Sequence, residues 1–343
     1  MCGDRYESVS KFYSRFPILE ENILSELPTT TTARDDRAPV GGRDAVIALL
    51  TDFGTGDGDV GVMKGVMLGI AAGAQIIDIT HEVAPQHIHG GAWILAASYR
   101  YFPRGTVFTC VVDPGVGSQR YPIAVQAGEW FFVGPDNGLF SFVLAEQPVH
   151  EAVQASNPAY HLPVVSSTFH GRDIFAPVAA HIARGLPLAE LGPPIASERL
   201  QRIDLALAGR EDARIEGRII HVDNFGNLIT NIRLSMIPDL FSCSGIQATF
   251  PQRNVTISGR RRFFAEESEY ESDGSASGEG VRRVGEDKDP SPFVYPDSSG
   301  YLAIAVRNGS AAKMLQIGYN APLVLLLATE QSGGVKEASQ ERG

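Results

Sequence analysis

The sequence predicts an α/β N-terminal domain with a central, mainly parallel sheet, plus a smaller all-β C-terminal domain. Residues 45–50 form a continuous apolar run, which is typical of a strand buried on both faces. A glycine-rich loop, a helical pattern and a second apolar strand follow, and this β-α-β order favours a parallel sheet with crossover helices. After Leu191-Gly192-Pro193-Pro194 the helical pattern fades, and short strands between turn residues indicate a β-sandwich or barrel.

Composition limits the class of protein. The 343 residues are 43% hydrophobic and 20% charged, which is enough to build full cores in two domains. A net charge of -11 argues against a nucleic-acid binder, and no apolar run reaches the roughly 18 residues of a membrane span. The N-terminus lacks a secretion-signal pattern, and the three distant cysteines suggest reduced thiols. We therefore expect a cytoplasmic protein with no nucleic-acid or membrane partner.

Four segments make up the predicted domain organisation. Residues 1–44 predict a flexible extension with one short helical pattern. The α/β domain occupies 45–205, and the β domain occupies 206–330 with a disordered acidic insert at about 259–290. That insert opens with Arg260-Arg261-Arg262, which we interpret as a solvated charge run. The last segment, 331–343, predicts a flexible tail.

The predicted elements follow these domains. In the α/β domain, strands are expected at 45–50, 76–79 and 106–112, a hairpin at 123–127 and 130–133, and helices at 60–72, 90–101 and 174–184. In the β domain, strands are expected at 215–222, 228–231, 246–250, 254–257, 301–306 and 323–327.

The first loop, residues 51–59, is rich in glycine and aspartate. It lacks the Lys-Ser/Thr ending of a phosphate-binding loop, and its acids would repel a phosphate. Acids in such a loop better suit ribose hydroxyls or a cationic ligand, whereas the alternative for Asp57 or Asp59 is capping of the next helix. Three histidines follow between positions 81 and 89, but their spacing matches no metal motif, so no metal is expected.

The third strand of the α/β domain runs into a loop from Asp113 to Arg120, with the sequence DPGVGSQR. Its proline and glycines allow a tight turn that can fold Arg120 back beside Asp113. Charged groups at the carboxyl end of a strand lie where open α/β sheets bind ligands, whereas the alternative is a turn closed by a surface salt bridge. His170, at a helix start, is either a capping or loop residue or a third polar group of such a site.

Turns of the β domain are candidates for ligand contact. Asp223-Asn224-Phe225-Gly226-Asn227 places an aromatic ring between polar groups. Phe225 could stack on a flat ligand ring or fold down to anchor its own turn. The small residues at 297–300 and 307–311 allow the backbone to approach a ligand.

Six motifs, taken in order, resemble those of one family. They are TDFG at 51–54, VVDPGVGSQR at 111–120, PDNG at 135–138, FHGRD at 169–173, DNFGN at 223–227 and SSGYLAIAVRNGSAA at 298–312. Over residues 45–328, apart from the acidic insert, the chain is similar to the S-adenosyl-L-methionine (SAM) hydroxide adenosyltransferases. These are relatives of the SAM-dependent fluorinase and chlorinase.

The resemblance implies hydrolysis of SAM to adenosine and methionine by attack of water or hydroxide on ribose C5′, without a cofactor or metal. It also implies a barrel-like β domain and a homotrimer whose SAM sites lie between one subunit's N-terminal domain and a neighbour's C-terminal domain. The implied catalytic triad is Asp113, Arg120 and His170, and Asp52 would hold the ribose hydroxyls. The predicted substrate-binding residues are Asp52, Asp57, Phe169, Asp223, Phe225, Asn227, Ser298, Asn308 and Ala311.

The implied chemistry suits these residue types. A sulfonium leaves as a neutral thioether, so the reaction mainly needs a good nucleophile. Arg120 would supply a positive field while Asp113 and His170 position the water, and either of the two could take its proton.

Two alternatives remain open from the sequence. One is a SAM-dependent, chlorinase-like halogenase on the same scaffold, although the halogenating relatives carry other residues at the acid and histidine positions. They also carry an arginine in place of Ser299, and the fluorinase has a tryptophan in place of Gln86. The other is a non-catalytic protein that binds SAM or adenosine.

Overall fold

The structure is a computed structural model that describes residues 45–328, except 206, 239 and 265–290. The predicted N-terminal extension, the predicted tail and most of the predicted acidic insert therefore lie outside the described residues. The chain divides between residues 203 and 204 into two compact units. Each unit has its own apolar core. Within the described ranges, no helix is both long and apolar enough to span a bilayer.

Six described strands form the central sheet of the first unit. They are β1 Val46–Thr51, β2 Gln75–Thr80, β3 Val107–Val111, β4 Pro122–Ala127, β5 Trp130–Pro135 and β6 Val149–Gln154. Their order is β2-β1-β3-β5-β4-β6, with parallel pairing from β2 to β5 and antiparallel pairing on both sides of β4. The predicted α/β domain with a mainly parallel sheet is confirmed. The sequence prediction missed β6, because its polar residues give a weak apolar signal.

Helices cover both faces of this sheet. They are α1 Asp59–Ile70, α2 Ile88–Ser98, α3 Ser141–Glu146 and α4 Ala176–Ala183. Ile47 and Leu49 of β1 belong to the core that includes α1 and α4, whereas Ala48 and Leu50 belong to the core that includes α2 and α3. Successive strand residues point to opposite faces, so two covered faces explain the unbroken apolar run of β1.

Nine described strands form the sheet of the second unit. They are β7 Gly209–Glu211, β8 Arg214–Val222, β9 Leu228–Arg233, β10 Gly245–Phe250, β11 Val255–Ile257, β12 Gly259–Arg260, β13 Phe293–Pro296, β14 Tyr301–Ala305 and β15 Pro322–Ala328. The order is β11-β10-β15-β8-β9-β14-β13-β12, with β7 beside β8 and a short helix, α5 Ala311–Leu315, after β14. The sheet curls around one core into a nearly closed barrel. This confirms the predicted all-β class and favours the barrel over the sandwich.

The start of the predicted acidic insert needs a correction. β12 lies where disorder was expected, and it pairs with β13. Arg260 Nη1 donates to the carbonyl of Cys243 at 2.8 Å. Arg261 is 6% exposed, and its guanidinium lies 4.4 Å from the centre of the Phe293 ring. The interpretation as a solvated charge run is therefore wrong for these two arginines, because carbonyl and aromatic groups hold them.

Candidate functional site

Asp113 and Arg120 form an ion pair at the carboxyl end of β3. Arg120 Nε donates to both carboxylate oxygens of Asp113 at 3.0 Å, and Arg120 Nη2 also donates to Oδ2. The side chains of Arg120 and Asp113 are only 9% and 5% exposed. The alternative of a surface salt bridge on a plain turn is therefore wrong, since such a pair would face solvent.

His170 is the third member of this cluster. Its Nδ1 lies 2.8 Å from Arg120 Nη2. A guanidinium only donates hydrogen bonds, so Nδ1 is the acceptor and the proton of the neutral ring is on Nε2. Burial, and then the charge of Arg120, lowers the pKa of His170 below its usual 6.5. The ring makes no capping hydrogen bond to the turn that follows it, although it occupies the capping position.

The loop from Asp113 to Arg120 packs against the segment that leads to His170. Gly117 has a φ of +76°, and a Cβ atom at this position would lie 2.4 Å from the carbonyl oxygen of Ser167. Only glycine accommodates both the conformation and the close approach. The glycine therefore sets the spacing between the two segments that carry the cluster.

Three supporting residues were not predicted. The Phe175 ring centre lies 5.3 Å from the Arg120 guanidinium. Asn137 Nδ2 donates to the carbonyl of Val112, between β3 and Asp113, at 2.8 Å. Asp173 is fully buried and accepts from the backbone N–H of residue 166 at 2.8 Å, which holds the segment before His170. The PDNG motif could have identified Asn137, but Phe175 looks like any aromatic residue of a helical core.

Asp52 and Phe169 lie at the same edge of the sheet as the cluster. Asp52 follows β1, which neighbours β3 in parallel, and its Oδ2 accepts from the backbone N–H of Gln86 at 2.8 Å. Among the described residues, no protein hydrogen bond occupies its Oδ1. The Phe53 and Phe169 rings make an edge contact with centres 5.8 Å apart. This contact joins the loop of Asp52 to the residue before His170.

Asp57 is not joined to this group. It is exposed, and no hydrogen bond or ion pair holds it in the part of the chain that the structure describes. The capping position of α1 is Gly58, and no side chain caps the helix. The alternative that Asp57 or Asp59 caps α1 is therefore wrong. The predicted contact of Asp57 with substrate stays a prediction.

His81, the first of the three histidines, is buried and contacts Thr51 and Asp78. Its Nδ1 lies 2.9 Å from Thr51 Oγ1, and its Nε2 lies 3.0 Å from Asp78 Oδ1. Within the described ranges, no three or more histidine, cysteine, aspartate or glutamate side chains are grouped as a metal site would require.

The turn from Asp223 to Asn227 connects β8 and β9. Asp223 Oδ1 accepts from the backbone N–H groups of Phe225 and Asn227 at 2.9 and 2.8 Å, and Oδ2 accepts from Asn227 Nδ2 at 2.7 Å. The carboxylate thus closes its own turn. Phe225 is 76% exposed, so the alternative that its ring anchors the turn is wrong. The turn presents an open aromatic surface on a rigid base.

The other predicted residues of the β unit lie before and after β14. The Gly226 carbonyl accepts from the N–H of Ala312 at 2.9 Å, which brings the turn next to α5. Asn308 is exposed, with a φ of +52°. Ala311 is fully buried in the core, so its side chain presents no surface to a ligand in this unit. Ser298 is exposed and precedes β14, whereas Asn308 follows it, so the strand separates these two residues.

Family models match both parts of the chain. The model of the SAM hydroxide adenosyltransferase N-terminal domain matches residues 47–192, and that of the C-terminal domain matches residues 217–324. The (R)-S-adenosyl-L-methionine hydrolase of Salinispora arenicola is 36% identical over 273 residues, which cover 79% of this chain and 94% of that protein. The hydrolase of the same name from Thermus thermophilus is 35% identical over 287 residues, which cover 82% of this chain and 99% of that protein.

Other similar proteins are a halogenating enzyme and a solved structure. A fluorinase from an Actinoplanes species is 28% identical over 286 residues, which cover 76% of this chain and 90% of that enzyme. A crystal structure of an uncharacterized conserved protein from Thermotoga maritima is 32% identical, with a TM-score of 0.71, over 82% of this chain and 99% of that one. The sequence is thus closer to these hydrolases than to this fluorinase.

Proposed function

The chain belongs to the SAM hydroxide adenosyltransferase family, and from this premise we propose that it hydrolyses SAM to adenosine and L-methionine. The observation that carries this proposal is the partly buried cluster of Asp113, Arg120 and His170, which can orient one water molecule. Relatives of 34 to 40% identity are named (R)-S-adenosyl-L-methionine hydrolases, which supports the (R) sulfonium epimer as the substrate.

In the proposed reaction, a water oxygen bonds to ribose C5′ while the C5′–S bond breaks. The electron pair of that bond stays on sulfur, so methionine leaves as a neutral thioether. The Nε2–H of His170 donates to the water oxygen, and a carboxylate oxygen of Asp113 accepts the proton that the water loses. Arg120 holds both groups and places positive charge beside the developing hydroxide.

The direction of the hydrogen bonds supports Asp113 over His170 as the proton acceptor. Arg120 donates to His170 Nδ1, and the remaining ring nitrogen, Nε2, carries the proton. The neutral ring therefore has no free acceptor, whereas Oδ1 of Asp113, which among the described residues accepts only from Arg120 Nε, keeps a second lone pair.

The substrate-binding roles are part of the proposal. Asp52 would accept hydrogen bonds from the ribose hydroxyls through Oδ1, and Phe169 would border the same pocket. From the β unit, the exposed Phe225 ring would contact adenine or methionine, supported by the turn that Asp223 and Asn227 close. Asn308 would lie near this turn, which approaches Ser310, whereas the contact of Ser298 with substrate stays a prediction. The roles of Asp57 and Ala311 stay predictions, because neither side chain has a geometry that points to a ligand.

We further propose a homotrimer with SAM sites shared between subunits. Val62 and Leu68 of α1 and Ile77 of β2 are 46%, 44% and 40% exposed, which leaves apolar surface that another copy would cover. The exposed Phe225 ring supports the same assembly. Sedimentation equilibrium is expected to give the mass of three chains, and a fully active monomer would contradict the proposal.

A cytoplasmic location completes the proposal. The free thiols of Cys110 and Cys243 support it, because such thiols persist in a reducing compartment. Recovery of the native protein only from a secreted fraction would exclude this location.

Incubation with SAM in ¹⁸O-labelled water tests the reaction. We expect mass spectrometry to find adenosine with one ¹⁸O at the 5′-oxygen, unlabelled methionine, and a yield that chloride does not change. The Asp113→Ala variant is the control for contaminating hydrolases. A chloride-dependent yield of 5′-chloro-5′-deoxyadenosine would indicate a halogenase instead, and SAM binding without turnover would indicate a binding protein.

The pH profile of hydrolysis is expected to reflect His170. Protonation of His170 would place a proton on Nδ1, which could then no longer accept the hydrogen bond from Arg120. The neutral ring is therefore the active form. Because the pKa of His170 is lowered, kcat/KM should stay high at pH 6.5 and fall as the pH drops through a value below 6.5. His170→Gln keeps an acceptor and a donor without titrating, so it should lack this acid limb. An inflection above 6.5, or the same limb in His170→Gln, would contradict the assignment.

A further inference from the structure

We propose that His81 is a positioning residue for Asp52, acting through a relay that also contains the buried Thr51 and the exposed Asp78. The relay would fix the loop after β1 so that Oδ1 of Asp52 faces the ribose hydroxyls of the substrate. This inference rests on the proposed function, in which Asp52 binds the ribose.

The relay has a fixed hydrogen-bond direction. His81 is 4% exposed, and its Nε2 lies 3.0 Å from Asp78 Oδ1. This contact lacks hydrogen-bond geometry, but a carboxylate so close to Nε2 favours a proton on that nitrogen, so Nδ1 of the neutral ring accepts from the Thr51 hydroxyl at 2.9 Å. Lys64 Nζ donates to the other oxygen of Asp78 at 2.6 Å. Burial alone would raise the pKa of Asp78, but the contacts with Lys64 and His81 outweigh it and lower this pKa, which keeps the acceptor ionised.

The relay includes the side chain before Asp52 and holds the backbone after it. The Thr51 hydroxyl oxygen accepts from the N–H of Phe53 at 3.3 Å, and the His81 carbonyl accepts from the N–H of Gly54 at 2.8 Å. The residues before and after Asp52 are therefore tied to His81. Asp52 Oδ2 is held by the N–H of Gln86, so the loop conformation determines where Oδ1 points.

The relay acts through the loop and not on the substrate. The order Thr51, His81, Asp78 is that of a nucleophile, a base and an orienting acid. However, Thr51 is fully buried at the end of β1, and its hydroxyl is used by its bonds with His81 Nδ1 and with the N–H of Phe53. A hydroxyl without access to solvent cannot attack a substrate, so the remaining role is to hold Asp52.

Calorimetric titration of the full-length protein with adenosine and with 2′,3′-dideoxyadenosine tests the relay. In the wild type, adenosine should bind at least about tenfold more tightly, because hydrogen bonds from its ribose hydroxyls to a carboxylate are charge-assisted. Thr51→Val should weaken adenosine binding about tenfold and leave dideoxyadenosine binding unchanged. Thr51→Ser keeps the hydroxyl and should keep the preference, and His81→Gln should keep more of it than His81→Leu.

Thr109→Val is the matched control on the neighbouring strand β3. Its hydroxyl is buried and has no hydrogen-bond partner among the described residues, so this substitution should change the affinity for neither nucleoside.

Equal weakening of the binding of both nucleosides by Thr51→Val would show a merely structural role and overturn the inference. If Asp52→Ala leaves the preference for adenosine intact, the proposed ribose role of Asp52 is wrong, and the inference falls with it. If Asp52→Ala removes the preference and Thr51→Val does not, only the inference is wrong.

Discussion

Replacing Arg120 with methionine is expected to lower kcat/KM for SAM hydrolysis by about a thousandfold. The substitution removes the hydrogen bonds that hold Asp113 and His170 together, and it removes the positive charge beside the reacting water. Arg120→Lys keeps the charge, but an ammonium cannot reproduce the planar contacts of Nε and Nη2, so a smaller loss of about a hundredfold is expected. Steady-state kinetics with SAM would measure both changes.

Arg100→Met is the matched control. Arg100 also pairs with a largely buried carboxylate, that of Glu146, and its guanidinium also lies 5.3 Å from an aromatic ring centre, that of Tyr99. Its pair joins the turn that follows α2 to the last residue of α3. We expect this variant to lose thermal stability and to keep kcat/KM within about twofold of the wild type, since it touches none of the reacting groups. Arg120→Met with more than a tenth of wild-type kcat/KM would contradict the proposed role of Arg120.

Gly117→Ala is expected to lower kcat/KM by about a hundredfold, although no catalytic side chain changes. A Cβ atom would lie 2.4 Å from the Ser167 carbonyl oxygen, and a backbone group cannot rotate away. The loop from Asp113 to Arg120 must therefore move from the segment before His170, and a displacement of about 1 Å can cost about that factor in rate. Kinetics and urea unfolding of the same protein would separate the loss of activity from the loss of stability.

Gly128→Ala controls for backbone strain alone. Gly128 also has a positive φ, +55°, but it lies in the hairpin between β4 and β5. Its Cβ would meet the end of the Gln147 side chain, which can turn aside. Both variants should lose about 1 kcal/mol or more of unfolding free energy through the left-handed conformation, but only Gly117→Ala should lose activity. Equal activity of the two variants would show that the spacing at Ser167 does not matter.

The central sheet and the cluster could be predicted because local sequence determines much of both. An unbroken apolar run such as β1 needs two covered faces, and this suffices to place a strand in the middle of a sheet. In the same way, the proline and two glycines between Asp113 and Arg120 allow Arg120 to fold back onto Asp113. The family motifs then identified His170, which no local pattern connects to that loop.

Features that depend on tertiary contacts could not be predicted. Whether Phe225 anchors its turn or stands free depends on the bonds of Asp223, which satisfy the turn without the ring. Arg260 and Arg261 look like solvated charges until the carbonyl and aromatic partners are known. The role of His81 likewise depends on Asp78 and Thr51, which come from two different strands.

The cluster also affects how folding and activity are linked. The Asp113–Arg120 pair joins residues 7 positions apart in the sequence, whereas the hydrogen bond between Arg120 and His170 joins residues 50 positions apart. A short loop closes at low entropic cost, so a partly folded chain can form the ion pair before the imidazole arrives. The histidine joins only when the segment leading into α4 has docked on the sheet. During refolding, the recovery of SAM hydrolysis would therefore follow the last docking step of this unit. A spectroscopic measure of secondary structure does not detect that step.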